Sequence, residues 1–274
     1  MTKEYIECQV NSEMQDVESL LFDEFEVALY SKAKPILKAK NEDSLGVFHL
    51  NDGHMVAAIA DGMGGHKDGG KASKITIETI SEHLKGFRGA EYDLRGSLLD
   101  AIELANIKVQ DLKVRAGTTL TLASFSPAGI RIYNVGDSAT FHFAGRGGIK
   151  YRSYEHSVGG MQVLTGRIEE AQVGLSDDHH QLFNYVGFPQ MKMEISALIP
   201  WQLGDMVLLG SDGLFDNLVV AEVQDVLKTE LEIDQKLRVL IEMGKDNMRH
   251  GILRRAKPDD MSAILVSSQY GEDS

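Results

Sequence analysis

Three aspartates each stand at the end of an apolar run and each touch a glycine: Ala60-Asp61-Gly62, Gly136-Asp137-Ser138 and Ser211-Asp212-Gly213. Asp259 stands just before a last apolar run, and Glu42-Asp43 just before an early one. A carboxylate at a buried strand end is costly unless something positive compensates it. Any one of these is an ordinary turn residue; five places of the same form are hard to attribute to turns. Oxygen donors without His or Cys favour Mg²⁺ or Mn²⁺ over zinc. Two such ions about 3.5–4 Å apart share a carboxylate, bind a phosphate oxygen and hold a water as hydroxide for in-line attack.

The stretch Val56 to Ser73 organises the rest. Val56-Ala57-Ala58-Ile59-Ala60 suits a strand buried on both faces, and it stops on Asp61. Glycines follow at 62, 64, 65, 69 and 70, which lets an ion or anion approach the main chain. Asp61 is therefore a ligand candidate, with the Gly62 carbonyl beside it. Taken alone, the stretch reads as readily as a Gly-rich turn whose Asp caps the next helix. Gly65 to Lys71 also satisfies G-x-x-x-x-G-K, the phosphate loop of nucleotide hydrolases. Ala72 then stands where Ser or Thr should reach Mg²⁺, and the match starts several residues after the strand.

Elements that would position these groups follow from periodicity. Phe25 to Ser31 and Ser44 to Leu50 read as strands. Apolar residues at helical spacing mark helices over Gly70–Leu84 and around Leu98–Leu112. Leu120–Phe125 and Ile130–Val135 form a hairpin, and Ala139–Phe143 and Ile149–Tyr154 a second pair of strands. The stretch from 156 to 193 is polar and poorly periodic, as in a lid or binding loop. Met206–Leu209, two helices (about Val219–Glu230 and Asp234–Met248) and a strand over Met261–Ser267 complete the chain. Short strands with grouped helices indicate an antiparallel α+β layer fold, not a doubly wound parallel sheet. Residues 1–24 are acidic and weakly patterned, a variable lead-in or an edge strand.

The net charge of −13 argues against nucleic acid and anionic membrane as partners. It suits a phosphorylated substrate only if bound cations reverse the sign locally. No apolar run approaches the roughly 20 residues that span a bilayer. Cys8 is the single cysteine, which excludes an internal disulfide and a Cys-based zinc site and points to a reducing, cytoplasmic setting.

Six segments carry a resemblance: Asn41-Glu42-Asp43, Ala60 to His66, Gly117-Thr118-Thr119, Asn134 to Ser138, Ser211 to Asp216, and Asp259 to Ser262. In order and spacing they resemble the metal-dependent (type-2C) Ser/Thr protein phosphatases, and Asp-Gly-Met-Gly-Gly is similar to the bacterial branch. The resemblance spans about Phe25 to Ser268. It implies one catalytic domain over 25–268, a flap over 156–193 and a tail at 269–274. It further implies a four-layer α-β-β-α sandwich with a binuclear Mn²⁺ or Mg²⁺ centre between the sheets. In that family Asp61 would bridge both ions, the Gly62 carbonyl would join one, and Asp212 and Asp259 would ligate the other. Glu42 and Asp43 would hold metal-bound waters, and Asp137 would help bind a third ion. The implied reaction is hydrolysis of phosphoserine and phosphothreonine by a metal-bound hydroxide. The implied partners are phosphoproteins and a cognate Ser/Thr kinase.

Three positions depart from the family pattern. Lys38 stands where an arginine usually grips the phosphate, and an ammonium replaces a bidentate fork only in part. Ala139 replaces a second arginine, and Met63 stands where animal enzymes place a general-acid histidine, leaving His66 as a distant candidate. Lys38 keeps a second reading in view, a catalytically weak phosphoprotein-binding regulatory module on the same fold.

Overall fold

The computed structural model describes residues 5–10, 12–22, 24–35, 39–50, 53–63, 68–89, 91–112, 116–168, 181–250 and 257–268. Elements are numbered along the chain. One sheet runs in the order β1 (Tyr5–Val10), β4 (Ser44–His49), β5 (Met55–Ala60), β6 (Leu120–Ser126), β7 (Gly129–Val135), β10 (Glu194–Ile195). The other runs β2 (Glu18–Leu21), β3 (Phe25–Lys32), β12 (Met261–Ser268), β11 (Met206–Gly210), β8 (Ala139–Phe143), β9 (Ile149–Arg152). Every pairing is antiparallel. The stretch before residue 25 supplies an edge strand to each sheet, β1 against β4 and β2 against β3.

The two-residue alternation of β5 explains why it is apolar throughout. Met55, Ala57 and Ile59 enter the core shared with β3, β11 and β12, among Val27, Leu29, Leu209 and Ile264. Val56, Ala58 and Ala60 turn the other way, toward Ile77 and Ile80 of α1 (Gly69–Leu84) and Leu98 and Ile102 of α2 (Glu91–Gln110). A strand covered on both faces has no polar side to show. The second sheet is covered by α5 (Val220–Leu227) and α6 (Ile233–His250), which bury Val223, Leu237, Leu240 and Ile241 against it. The result is the expected α-β-β-α layering. A parallel nucleotide-binding sheet is ruled out by the strand directions.

Within the segment read as irregular from 156 to 193, α3 (Val158–Leu164) is capped by Ser157, whose hydroxyl oxygen accepts the Gly160 N–H at 3.0 Å. Residues 169–180 of that segment lie outside the described residues.

Candidate metal centre

Register brings the acidic strand ends to one end of the sandwich. Ser44, first in β4, faces Ala60, last in β5. Ile59 faces Thr121, and Leu120 faces Val135, so β7 also ends at this edge. In the second sheet Gly210, last in β11, faces Ala263 of β12. Asp43, Asp61, Asp137, Asp212 and Asp259 therefore come from different strand ends to one rim.

Local contacts fix each of them. Asp61 does not cap α1, which begins at Gly69. Its carbonyl accepts from the Thr118 hydroxyl at 2.7 Å and from the Thr119 N–H at 2.9 Å, while its own N–H donates to Thr119 Oγ1 at 3.0 Å. Thr119 Oγ1 lies 2.6 Å from Ser138 Oγ, which ties Asp61 to the turn that carries Asp137. A Cβ on Gly62 would fall 2.5 Å from the Gly69 carbonyl carbon and 2.6 Å from the Glu42 carbonyl oxygen, so glycine is required for that close approach. Asp43 is fully buried, and its N–H donates to Asn41 Oδ1 at 3.0 Å. Asp212 opens the short helix α4 (Asp212–Phe215) directly after β11. The next residue, Gly213, lies so near the Asp259-Asp260 segment that a Cβ would stand 1.9 Å from the Asp260 carbonyl oxygen.

Electrostatics show how closely these groups converge. Burial, followed by the Asp43, Asp212, Asp137 and Asp259 carboxylates, raises Asp61 well above the ordinary range. Burial and then Asp212 and Asp216 do the same to Asp137. Asp43 is pushed up to about 8 by burial and then by Asp260, and Asp216 to about 6 by burial and then Asp212. Burial and Asp212 raise Asp259, and burial and Asp260 raise Glu42. Like charges in one low-dielectric pocket resist joint ionisation.

Two lysines partly offset this repulsion. Lys257 Nζ stands 2.6 Å from Asp212 Oδ2, 2.8 Å from Asp216 Oδ2 and 3.6 Å from Asp259 Oδ2. Lys34 Nζ is 3.5 Å from Asp259 Oδ1. Burial works against both ammonium charges, but the surrounding carboxylates outweigh it and leave both lysines more basic than usual. Among the described residues no three His, Cys, Asp or Glu side chains close into a ready-made cage for one ion. The donor set instead fits ions that keep much of their own water and take one or two carboxylates each, as Mg²⁺ does. The clustered, mutually raised carboxylates and their oxygen-only chemistry agree with that fit.

Lys38 and His66 lie outside the described residues. Ala139 is buried at the start of β8, opposite Gly210. Met63 donates its N–H to the Gly117 carbonyl at 3.0 Å. Sequence reasoning missed Lys257, Lys34, Asp216 and Asp260 as members of the site. The signals available were a lysine two residues before Asp259 and the four lysines between 32 and 40.

The family model for protein phosphatase 2C matches residues 37–249. The chain belongs to that family. A Ser/Thr phosphatase, Stp, of Listeria monocytogenes serotype 4b is 28% identical over 251 residues, covering 86% of this chain and 95% of that protein. The Ser/Thr phosphatase of S. agalactiae matches with a TM-score of 0.76 at 24% identity, over 89% of this chain and 99% of the other. The catalytic domain of PstP in complex with two manganese ions matches at 0.70 and 22% identity, over 89% and 98%. This 2C-family member is a Ser/Thr protein phosphatase with bacterial relatives. No helix among its described residues is long and apolar enough to cross a membrane.

Proposed function

We propose that this 2C phosphatase hydrolyses phosphoserine and phosphothreonine in proteins, using two Mn²⁺ or Mg²⁺ ions held at the acidic rim. The convergence of Asp43, Asp61, Asp137, Asp212 and Asp259 at one end of the sandwich carries this reading. The manganese reported for PstP supports it by family likeness. Bound there, two divalent ions would supply an acidified water and charge neutralisation for in-line displacement at phosphorus. Asp61 would hold both ions, the Gly62 carbonyl one, and Asp212 and Asp259 the other, with Asp137 serving a third. Glu42 and Asp43 would order the surrounding water. Lys38 would steer the substrate phosphate.

The catalytic unit would run over residues 25–268, with 156–193 as its flap and 269–274 as a tail. Its substrates would be the products of a cognate Ser/Thr kinase. A chain with one cysteine suits the reducing cytoplasm. The test is release of phosphate from a phosphothreonine peptide with Mn²⁺ and with EDTA. Turnover only with metal supports the reading. No turnover by protein shown to bind Mn²⁺ would favour the phosphoprotein-binding module instead.

A further inference from the structure

The contacts of Lys257 go beyond ordinary charge pairing at a surface. Its ammonium touches two carboxylates, Asp212 and Asp216, and stands near a third, Asp259. Two of those, Asp212 and Asp259, are the residues expected to hold one of the ions. The backbone of Lys257 is clamped: Asn217 Nδ2 donates to its carbonyl at 3.0 Å, and its N–H donates to Asn217 Oδ1 at 3.3 Å. Asn217 is itself fully buried and donates to the Gly213 carbonyl at 2.9 Å, inside the turn that begins with Asp212. The same amide thus fixes both the lysine and the aspartate it meets.

We infer that Lys257 is a tethered cation that shares Asp212 and Asp259 with the divalent metal and sets the affinity of that half of the centre. The inference rests on the two-ion reading of the site. Without metal, the ammonium offsets the repulsion among Asp212, Asp216 and Asp259 and keeps the rim folded. A divalent ion ligating Asp212 brings like charge to within a few ångströms of Nζ, and the two compete for the carboxylate. The side chain can yield without moving the clamped backbone, because a lysine head is a point charge on a flexible four-carbon stem. Asp216, which is not among the expected ligands, is the partner the ammonium can keep when it leaves Asp212. Metal binding then exchanges one cation for another, which weakens the apparent affinity by the strength of the contact displaced.

The test is Mn²⁺ binding by titration calorimetry to the full-length wild-type chain and to Lys257→Met, which keeps chain length and removes the charge. At least one Mn²⁺ should bind about tenfold more tightly in the variant, a difference well within reach of a charge pair at this distance. The metal-free variant should also melt lower than wild type and gain more from Mn²⁺. Equal or weaker Mn²⁺ binding by Lys257→Met would overturn the role of Lys257 while leaving the metal centre intact. No Mn²⁺ binding by either protein would overturn the two-ion reading and this inference together. A measurement on wild type alone guards against a variant that does not fold. Reductive methylation read by mass spectrometry should label Lys257 slowly in EDTA and faster with Mn²⁺, other lysines serving as internal controls. Labelling of Lys257 that is unchanged by Mn²⁺ at saturation would also contradict the exchange.

Discussion

Asp260 Oδ2 accepts the backbone N–H of Glu42 at 2.7 Å, joining the approach to β4 to the approach to β12. Its other oxygen accepts the Lys34 N–H at 2.9 Å. One buried carboxylate thereby gathers three chain segments around the acidic rim. Asp260→Ala should remove both hydrogen bonds and leave two N–H groups to find other partners. Hydrogen bonds to charged groups contribute about 1.5–3 kcal/mol each, so a loss near ~3 kcal/mol is expected in denaturant unfolding. Asp260→Asn, which keeps one good acceptor, should lose less. Equal stability of Asp260→Ala and wild type would contradict this account of the rim.

Gly213 makes the complementary case, in which close packing beside Asp212 leaves no room for a side chain. A methyl group there meets the Asp260 carbonyl oxygen at 1.9 Å, and backbone on both sides must move. Gly213→Ala should destabilise the chain by about 3 kcal/mol or more, the upper end of what overpacking costs. Thermal melting checks this directly, and Gly96→Ala is the control, because nothing lies within 4 Å of a Cβ at Gly96.

The raised carboxyls predict how metal-free protein responds to pH. Asp43 at about 8 and Asp216 at about 6 retain protons in the folded chain, whereas in the unfolded chain they titrate near ~4. The native state therefore binds more protons across that window, and stability falls as pH rises from about 4 towards about 8. In EDTA the melting temperature should be higher at about pH 5.5 than at about pH 8, by about 3 °C or more for a chain of this size. Saturating Mn²⁺ should shrink the difference, because the ions favour the ionised carboxylates. A melting temperature in EDTA that rises over this range would contradict the assignment.

Lys38→Arg addresses the substrate side. A guanidinium offers a bidentate fork to a phosphate where an ammonium offers a point charge. If Lys38 steers the phosphate, KM for a phosphothreonine peptide should fall with kcat little changed. An unchanged KM would remove Lys38 from the site.

Much of this centre was legible because its residues advertise themselves locally. The run Val56 to Ala60 ends on Asp61, and Met206 to Leu209 leads into Ser211-Asp212, so strand and ligand candidate are read from one short stretch. Lys257 is different: its partners Asp212 and Asp216 lie 45 and 41 positions away, and only the pairing of β11 with β12 brings them near. Likewise β2 was obscure because its side chains are mostly exposed, so no alternation marks it. The start of α2 was missed because Leu94, four residues before Leu98 and buried in the same cluster, was left out of the apolar stripe. The short helix α3 had a signal in Ser157, but its seven residues bury only Gly159 and leave no stripe to find.

The central claim is that the rim carboxylates hold the ions on which phosphate release depends. Its most direct test is Asp212→Asn, assayed beside wild type for Mn²⁺ binding by calorimetry and for turnover of a phosphothreonine peptide and p-nitrophenyl phosphate. The account predicts weaker Mn²⁺ binding together with a loss of turnover of about 100-fold or more, at or beyond what residues merely supporting a metal site cost. Wild-type turnover by Asp212→Asn, or turnover by wild type that survives EDTA, would contradict it.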